Sequence, residues 1–460
     1  LFEACAGRNP QQRAVLCDDG TELSYAQLDA WAAAVAVAAR VVAVSAAVPV
    51  SAAVLADRSA AAVVAVVGMA TPLALQLIAQ GKYFFLSRPR RFGKSLFLDT
   101  LKELFEGNAA LFKGLAAETR WDWSKKHPVI RISFGSGVHK AKVNLVQRMK
   151  EILRTNREAL GLQRPPDLPE HDTAGSLSDL IRQAHQRSGQ RAVVLIDEYD
   201  KPLLDNISQP SAALELREGL KNIYSVLKGA DEHLQFVFMT GVSKFSKVSL
   251  FSGLNNLIDI TLDPRYSALC GYTDADVDTV FAPELAGLDR QEIQRWYNGY
   301  NWLGASVYNP FDVLLLLRNR EFRPYWFETG TPTFLVTLLA QRGYFTPDLA
   351  QLMAPEALLS TFDVDHIPPE ALLFQAGYLT IGEVCRIPGL TQIQLRYPNL
   401  EVRTSLNAVL LQAMTASPAA SADADPSPGP PARNARFWRW AGRLIALLTL
   451  AVSLSAARIG

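Results

Sequence analysis

Arg88-Pro-Arg-Arg-Phe-Gly-Lys-Ser95 stands between the apolar run Tyr83-Phe-Phe-Leu86 and the helix-like Leu96-Phe-Leu-Asp-Thr-Leu101. A strand, a loop ending in Gly-Lys-Ser and a helix, in that order, fit the pattern G-x-x-x-x-G-K-[ST], whose backbone wraps a phosphate. Each residue type has its reason. Gly93 lets the main chain close on a phosphate, the Lys94 ammonium reaches β- and γ-phosphates, and the Ser95 hydroxyl is a ligand for Mg²⁺. Leu96 continues a helix start whose N–H groups and dipole favour an anion. The pattern breaks at its first position, where Arg88 replaces glycine. The stretch expected to contact nucleotide is Arg88, Pro89, Arg90, Arg91, Phe92, Gly93, Lys94, Ser95 and Leu96, and its three arginines predict an unusually cationic cradle. Taken alone, the octapeptide also fits a basic surface loop.

A second motif makes the first more specific. Arg191-Ala-Val-Val-Leu-Ile-Asp-Glu-Tyr-Asp200 reads as a buried strand whose apolar run stops at adjacent carboxylates. Beside a Gly-Lys-Ser loop, Asp197 is expected to hold Mg²⁺, directly or through water, and Glu198 to orient and polarise the attacking water. Without such a loop, two carboxylates at a strand end would read as a solvated terminus.

Three further strands are expected at His127–Phe134, Leu234–Thr240 and Leu257–Leu262, with helices over Val143–Arg157, Ser176–Ser188 and Ala212–Leu227. The alternation predicts an α/β fold, a P-loop NTPase core with a mostly parallel sheet covered on both faces, followed by a mainly helical region. The strand ending at Phe134 falls between the loop strand and the carboxylate strand in sequence, so an additional strand is expected between those two in space. ATPases with a catalytic glutamate after the metal aspartate have that arrangement, and Glu198 fits it. Thr240, at the end of the next strand, is then a candidate γ-phosphate sensor alongside Lys94 and Glu198, the alternative being a strand-end threonine without a role.

From about Thr71 to Arg403 the chain resembles the bacterial AAA-ATPase-like family, whose members usually carry a PD-(D/E)XK nuclease-like domain at the C-terminus. The resemblance rests on G-K-Y-F-F-L-S-R-P-R-R-F-G-K-S-L at Gly81–Leu96, W-D-W-S at Trp121–Ser124 and V-L-I-D-E-Y-D-K-P-L at Val194–Leu203. It continues in M-T-G-V-S-K-F-S at Met239–Ser246, L-F-S-G-L-N-N-L at Leu250–Leu257, W-Y-N-G-Y at Trp296–Tyr300 and V-Y-N-P-F-D-V at Val307–Val313. The arginine in place of the first glycine belongs to that family's pattern. The resemblance implies an ATP-binding core over residues 71–270 and a mainly helical region over 271–412 that contains Tyr300, Asn309 and Trp326. It also implies that Lys244 and Lys247 face the nucleotide or a partner; a solvated basic loop is the alternative.

Both ends depart from the family pattern. Leu1-Phe-Glu-Ala, Leu23-Ser-Tyr-Ala-Gln-Leu28 and Val54-Leu-Ala-Asp-Arg-Ser59 resemble the opening of adenylate-forming (AMP-binding) domains, giving a fragment over residues 1–70 without that family's phosphate loop. Its Ala/Val-rich tract, Ala32–Ala70, is interrupted by Pro49 and followed by Pro72 and carries Asp57 and Arg58, which argues against a membrane span. Residues 413–436 are rich in Ala, Ser and Pro and read as a disordered linker. Residues 437–460 form a short apolar tail with Trp438 and Trp440 at its entry, and its uncharged stretch, Leu444–Ala457, is below the ~20 residues of a spanning helix. No segment remains for the two carboxylates and lysine of a nuclease, so nuclease activity is not expected.

With 460 residues, two or three domains are expected at about 150 residues each. A net charge of +1 gives no electrostatic case for nucleic acid. Cys5, Cys17, Cys270 and Cys385 lack metal or disulfide spacing, which suits a reducing cytoplasm. The reading is therefore an ATP- and Mg²⁺-using ATPase that couples nucleotide state to shape or to a protein partner, with homo-oligomer formation compatible. Two alternatives stand beside it: a nucleotide-gated module without turnover, and an adenylate-forming enzyme supported only by the first ~70 residues.

Overall fold

A computed structural model describes residues 13–16, 22–24, 60–135, 142–169, 171–207, 209–244, 250, 251, 254, 256–329, 352–356, 359, 368–388 and 390–415. A small antiparallel pair, β1 (Arg13–Leu16) and β2 (Glu22–Ser24), precedes the helix α1 (Ala60–Gln80). The elements then alternate: β3 (Tyr83–Ser87), α2 (Lys94–Glu106), β4 (Val129–Ser133), α3 (Lys142–Ala159), α4 (Thr173–Ser188), β5 (Ala192–Asp197), α5 (Pro210–Gly229), β6 (Leu234–Gly241) and β7 (Ile258–Asp259).

β3 to β7 form one sheet in the order β4-β5-β6-β3-β7, and every pairing is parallel. A strand does separate the loop strand from the carboxylate strand, but it is β6; the strand that precedes Phe134 lies at the edge. The side chains explain the placement. β6 is buried at every position but Gln235, as a central strand covered on both faces must be, whereas Arg131 and Ser133 of β4 are half-exposed. Alternate residues feed two cores. Phe85, Ile130, Val194, Ile196, Val237 and Met239 pack on one face with α3, α4 and α5, while Phe84, Leu86, Val193, Leu195, Phe236 and Phe238 pack on the other with α1 and α2. At about 1.5–3 kcal/mol for each large apolar side chain buried, this alternation fixes the register against a one-residue slip.

The first core does not end with the sheet. Tyr300, Trp302, Trp326, Leu372, Tyr378, Ile393 and Leu406 belong to the same apolar cluster as Phe92 and Ile132, so the core continues across residue 270. The C-terminal region contains α6 (Asp274–Val280), α7 (Arg290–Tyr297), α8 (Pro310–Asn319), α9 (Pro369–Ala376) and α10 (Leu400–Thr415). It also contains an antiparallel sheet absent from the sequence reading: β8 (Leu352–Pro355), β9 (Thr380–Ile387) and β10 (Leu390–Arg396), ordered β8-β10-β9.

Two boundaries move. α1 runs from Ala60 through the expected join at Thr71, with Pro72 inside it, because the residues around that proline are mostly Ala, Leu, Val and Met. α10 extends to Thr415, past the expected start of the linker at 413. The linker and tail beyond Thr415, and most of the adenylate-forming-like fragment, lie outside the described residues. No helix among the described residues is long and apolar enough to cross a membrane.

Candidate functional site

The C-terminal ends of β3, β5 and β6 bring the two motifs together at one edge of the sheet, as parallel α/β sheets place their sites. Asp197 is the centre of the contact. Its Oδ2 accepts the Ser95 hydroxyl at 2.6 Å and its Oδ1 accepts the Thr240 hydroxyl at 2.7 Å. One buried carboxylate thus joins the helix after the loop to the strand between the motifs. Two hard oxygen donors side by side, Ser95 Oγ and Asp197 Oδ2, fit a partly hydrated Mg²⁺, which takes few protein ligands.

The loop itself has the form of an anion cradle. Gly93 caps α2 with φ +80°, no side chain caps the helix, and no atom lies within 4 Å of where a Cβ on Gly93 would stand. The first-turn N–H groups of α2 therefore have no side-chain partner at their cap, which suits an anion. Lys94 is folded back over the loop and donates to Arg88 O at 3.0 Å and Pro89 O at 2.9 Å. Burial pushes its ammonium below the ordinary lysine range, while the negative charges of Glu198, Asp197 and Asp200 act in the opposite sense. A buried ammonium held, among the described residues, by carbonyl oxygens is suited to exchange them for phosphate oxygens.

Glu198 follows Asp197 in a left-handed conformation, φ +53°, uncommon for a residue with a side chain. The turn carries its carboxylate to the end of β4, where a Cβ on Gly135 would lie 3.2 Å from Glu198 Oε2. Burial raises its pKa above the ordinary glutamate range, Asp197 adds to the rise and Lys94 opposes it. Asp200, which the sequence reading left without a role, is buried and accepts from Ser243 N and Ser243 Oγ, each at 2.7 Å. It fixes the turn after β6; a third carboxylate in Asp-Glu-Tyr-Asp was the available signal.

Of the three arginines expected to make the cradle cationic, one is turned into the core. Arg88 is completely buried and turned away: it donates to the carbonyls of Ser87, Thr261, Tyr266 and Leu269 and lies 4.0 Å above the Trp302 ring. A guanidinium with this many carbonyl acceptors and an aromatic floor needs no phosphate. Phe92 is likewise buried, edge-on to Tyr300 at 4.8 Å and Trp302 at 5.6 Å. Arg90 is exposed, and Arg91, at φ +68°, lies 5.3 Å from the Phe311 ring with the charge of Glu198 acting on it.

Lys244 is not a solvated loop residue. It is buried, its ammonium 2.9 Å from Asp259 Oδ2 and its N–H bonded to Gln375 Oε1 at 2.6 Å, so it ties β7 and α9 to the turn after β6. Lys247 lies outside the described residues. Of the residues noted in the C-terminal region, Trp326 reaches the loop, its Nε1 donating to Arg90 O at 3.0 Å; Tyr300 packs on Phe92; Asn309 caps α8.

The pattern of a family described as predicted AAA-ATPase matches residues 70–251, the span from the middle of α1 to beyond β6. An uncharacterized protein in the vnfD 5′ region of Azotobacter chroococcum mcd 1 is 62% identical over 349 residues, which cover 76% of this chain and 67% of that protein.

Proposed function

The chain belongs to the predicted AAA-ATPase family, and we propose on that premise that it binds ATP with Mg²⁺ and hydrolyses it. The observation that carries this reading is the pair of hydrogen bonds from Ser95 and Thr240 to Asp197. They bring together, at one point, two oxygen donors suited to a metal and a polar group from the intervening strand. In this reading the N–H groups of Gly93, Lys94 and Ser95 and the Lys94 ammonium hold the β- and γ-phosphates, and Ser95 and Asp197 hold Mg²⁺. The metal, when bound, neutralises phosphate charge as the β–γ bridge breaks. Glu198 orients a water toward the γ-phosphorus and accepts its proton; the products are ADP and inorganic phosphate. Thr240 senses the γ-phosphate from the strand between the two motifs.

The direct contact of the loop with Tyr300, Trp302 and Trp326 supports coupling of nucleotide state to the conformation of the C-terminal region, and through it to a protein partner. The same contact also favours a second reading, a nucleotide-gated module without turnover. Steady-state hydrolysis and equilibrium binding separate the two. A working ATPase loses turnover by roughly 10²–10⁴-fold in Glu198→Gln with affinity kept; equal rates for the unaltered protein and Glu198→Gln would leave only the gated module.

A further inference from the structure

An acidic pair lies beneath the segment that touches the phosphate loop. Asp312 stands in the first turn of α8 and Glu401 in the first turn of α10, both completely buried. One oxygen of each is taken by neighbouring backbone: Trp326 N donates to Asp312 Oδ1 at 2.8 Å, and Phe327 N donates to Glu401 Oε1 at 3.0 Å. The other two, Asp312 Oδ2 and Glu401 Oε2, have no donor among the described residues. The two carboxyl groups accept from adjacent amides, Trp326 N and Phe327 N, and interact with each other. A carboxylate only accepts, so this contact is a hydrogen bond only when one of the two carries a proton. Tyr297, Tyr300 and Glu328 also bear on the pair, and none of these is a cation. Two helix N-termini favour one retained negative charge there, whereas two charges would repel in a dry site.

Trp326 carries this arrangement to the loop. Its indole N–H holds Arg90 O, and its ring packs against Tyr378 and Tyr300. Gly377 presses on the same loop from beside it: at φ +92°, a Cβ there would lie 2.7 Å from Pro89 Cγ.

We propose that Asp312 and Glu401 share one proton and, acting through Trp326, hold the phosphate loop in its nucleotide-ready conformation. They are positioning residues, and the inference rests on the ATP-binding reading only for its effect on affinity. Burial, the largest cause, raises both acids above the ordinary range, Glu401 to about 7, and the charge of Glu401 raises Asp312 further. Both shifts are upward, so the anchor is complete in acid and is lost as pH rises and the last proton leaves.

The test uses the full chain, with hydrogen exchange of the Arg88–Ser95 amides and binding of a fluorescent ATP analogue, each at neutral and alkaline pH. Trp326→Phe keeps the aromatic packing and removes the bond to Arg90 O; faster loop exchange and about fivefold weaker binding are expected. Glu401→Gln donates to Asp312 in place of the shared proton and still accepts from Phe327 N. It should match the unaltered protein at neutral pH and, unlike it, keep the loop protected in alkali, while Glu401→Ala loses protection at both. Unchanged loop exchange in Trp326→Phe, or Glu401→Gln loosening the loop as much as Glu401→Ala, would overturn the proposal. Failure of the unaltered protein to bind the analogue would instead overturn the nucleotide reading, and the exchange pattern would still decide the anchor.

Discussion

Replacing Arg88 by methionine tests whether this residue serves the fold or the ligand. Methionine keeps most of the stem's bulk and removes every donor, leaving the carbonyls of Thr261, Tyr266 and Leu269 without the guanidinium that holds them. Hydrogen bonds to a charged group contribute about 1.5 kcal/mol each at the low end, so the four bonds of Arg88 amount to about 6 kcal/mol. Burying the charge opposes this. Burial lowers the Arg88 pKa from the ordinary arginine range to about 10, and at 1.36 kcal/mol per pH unit its removal returns roughly 3 kcal/mol. The net expectation is a loss of about 3 kcal/mol, read as a lower denaturant midpoint at unchanged slope. ATP affinity of the protein that remains folded should be unchanged. A variant with wild-type stability whose ATP affinity falls tenfold would refute the reasoning, because the guanidinium would then act on phosphate.

Lys94→Ala should weaken ATP binding and turnover together, since its ammonium meets phosphate in the ground state as well as the transition state; equal affinity by titration calorimetry would exclude Lys94 from the site. Asp197→Ala should behave as loss of Mg²⁺, partly rescued by excess metal, and a variant with an unaltered Mg²⁺ requirement would remove Asp197 from the metal's ligands. Glu198 has a raised pKa and must be ionised to accept a proton, so kcat should rise with pH through a midpoint above the ordinary glutamate value. Glu198→Gln should flatten that limb of the pH–rate profile, and a limb that survives belongs to another group.

The parallel core was legible because it repeats one rule: apolar strands that stop at functional residues, with amphipathic helices between them. Leu234–Gly241 and Ala192–Asp197 stand close to where their composition puts them. The order of strands was less legible, since pattern alone does not rank a half-exposed edge such as β4 against a buried centre such as β6. The antiparallel hairpin of β9 and β10 was missed although Pro388-Gly389 separates two alternating runs; a few hydrophobic residues at period two are easily taken for one face of a helix. At the site, residue types predicted Lys94, Ser95, Asp197 and Thr240 as neighbours. They did not predict where Arg88 points, because three of the four carbonyls that hold it lie more than a hundred and seventy residues away and no local spacing encodes them.

The Phe92 ring has a consequence for how the protein is made. Its socket, Tyr300 and Trp302, is translated about 200 residues later, a delay of roughly 10–40 s at ribosomal speeds of about 5–20 residues per second. Through that interval the nascent chain carries Gly93-Lys94-Ser95 next to an unseated aromatic ring, and the final shape of the loop waits for the downstream half to leave the exit tunnel. A chain cut short before Tyr300 would present an exposed phenylalanine at its most conspicuous loop, a mark by which chaperones and proteases can tell an unfinished copy from a finished one.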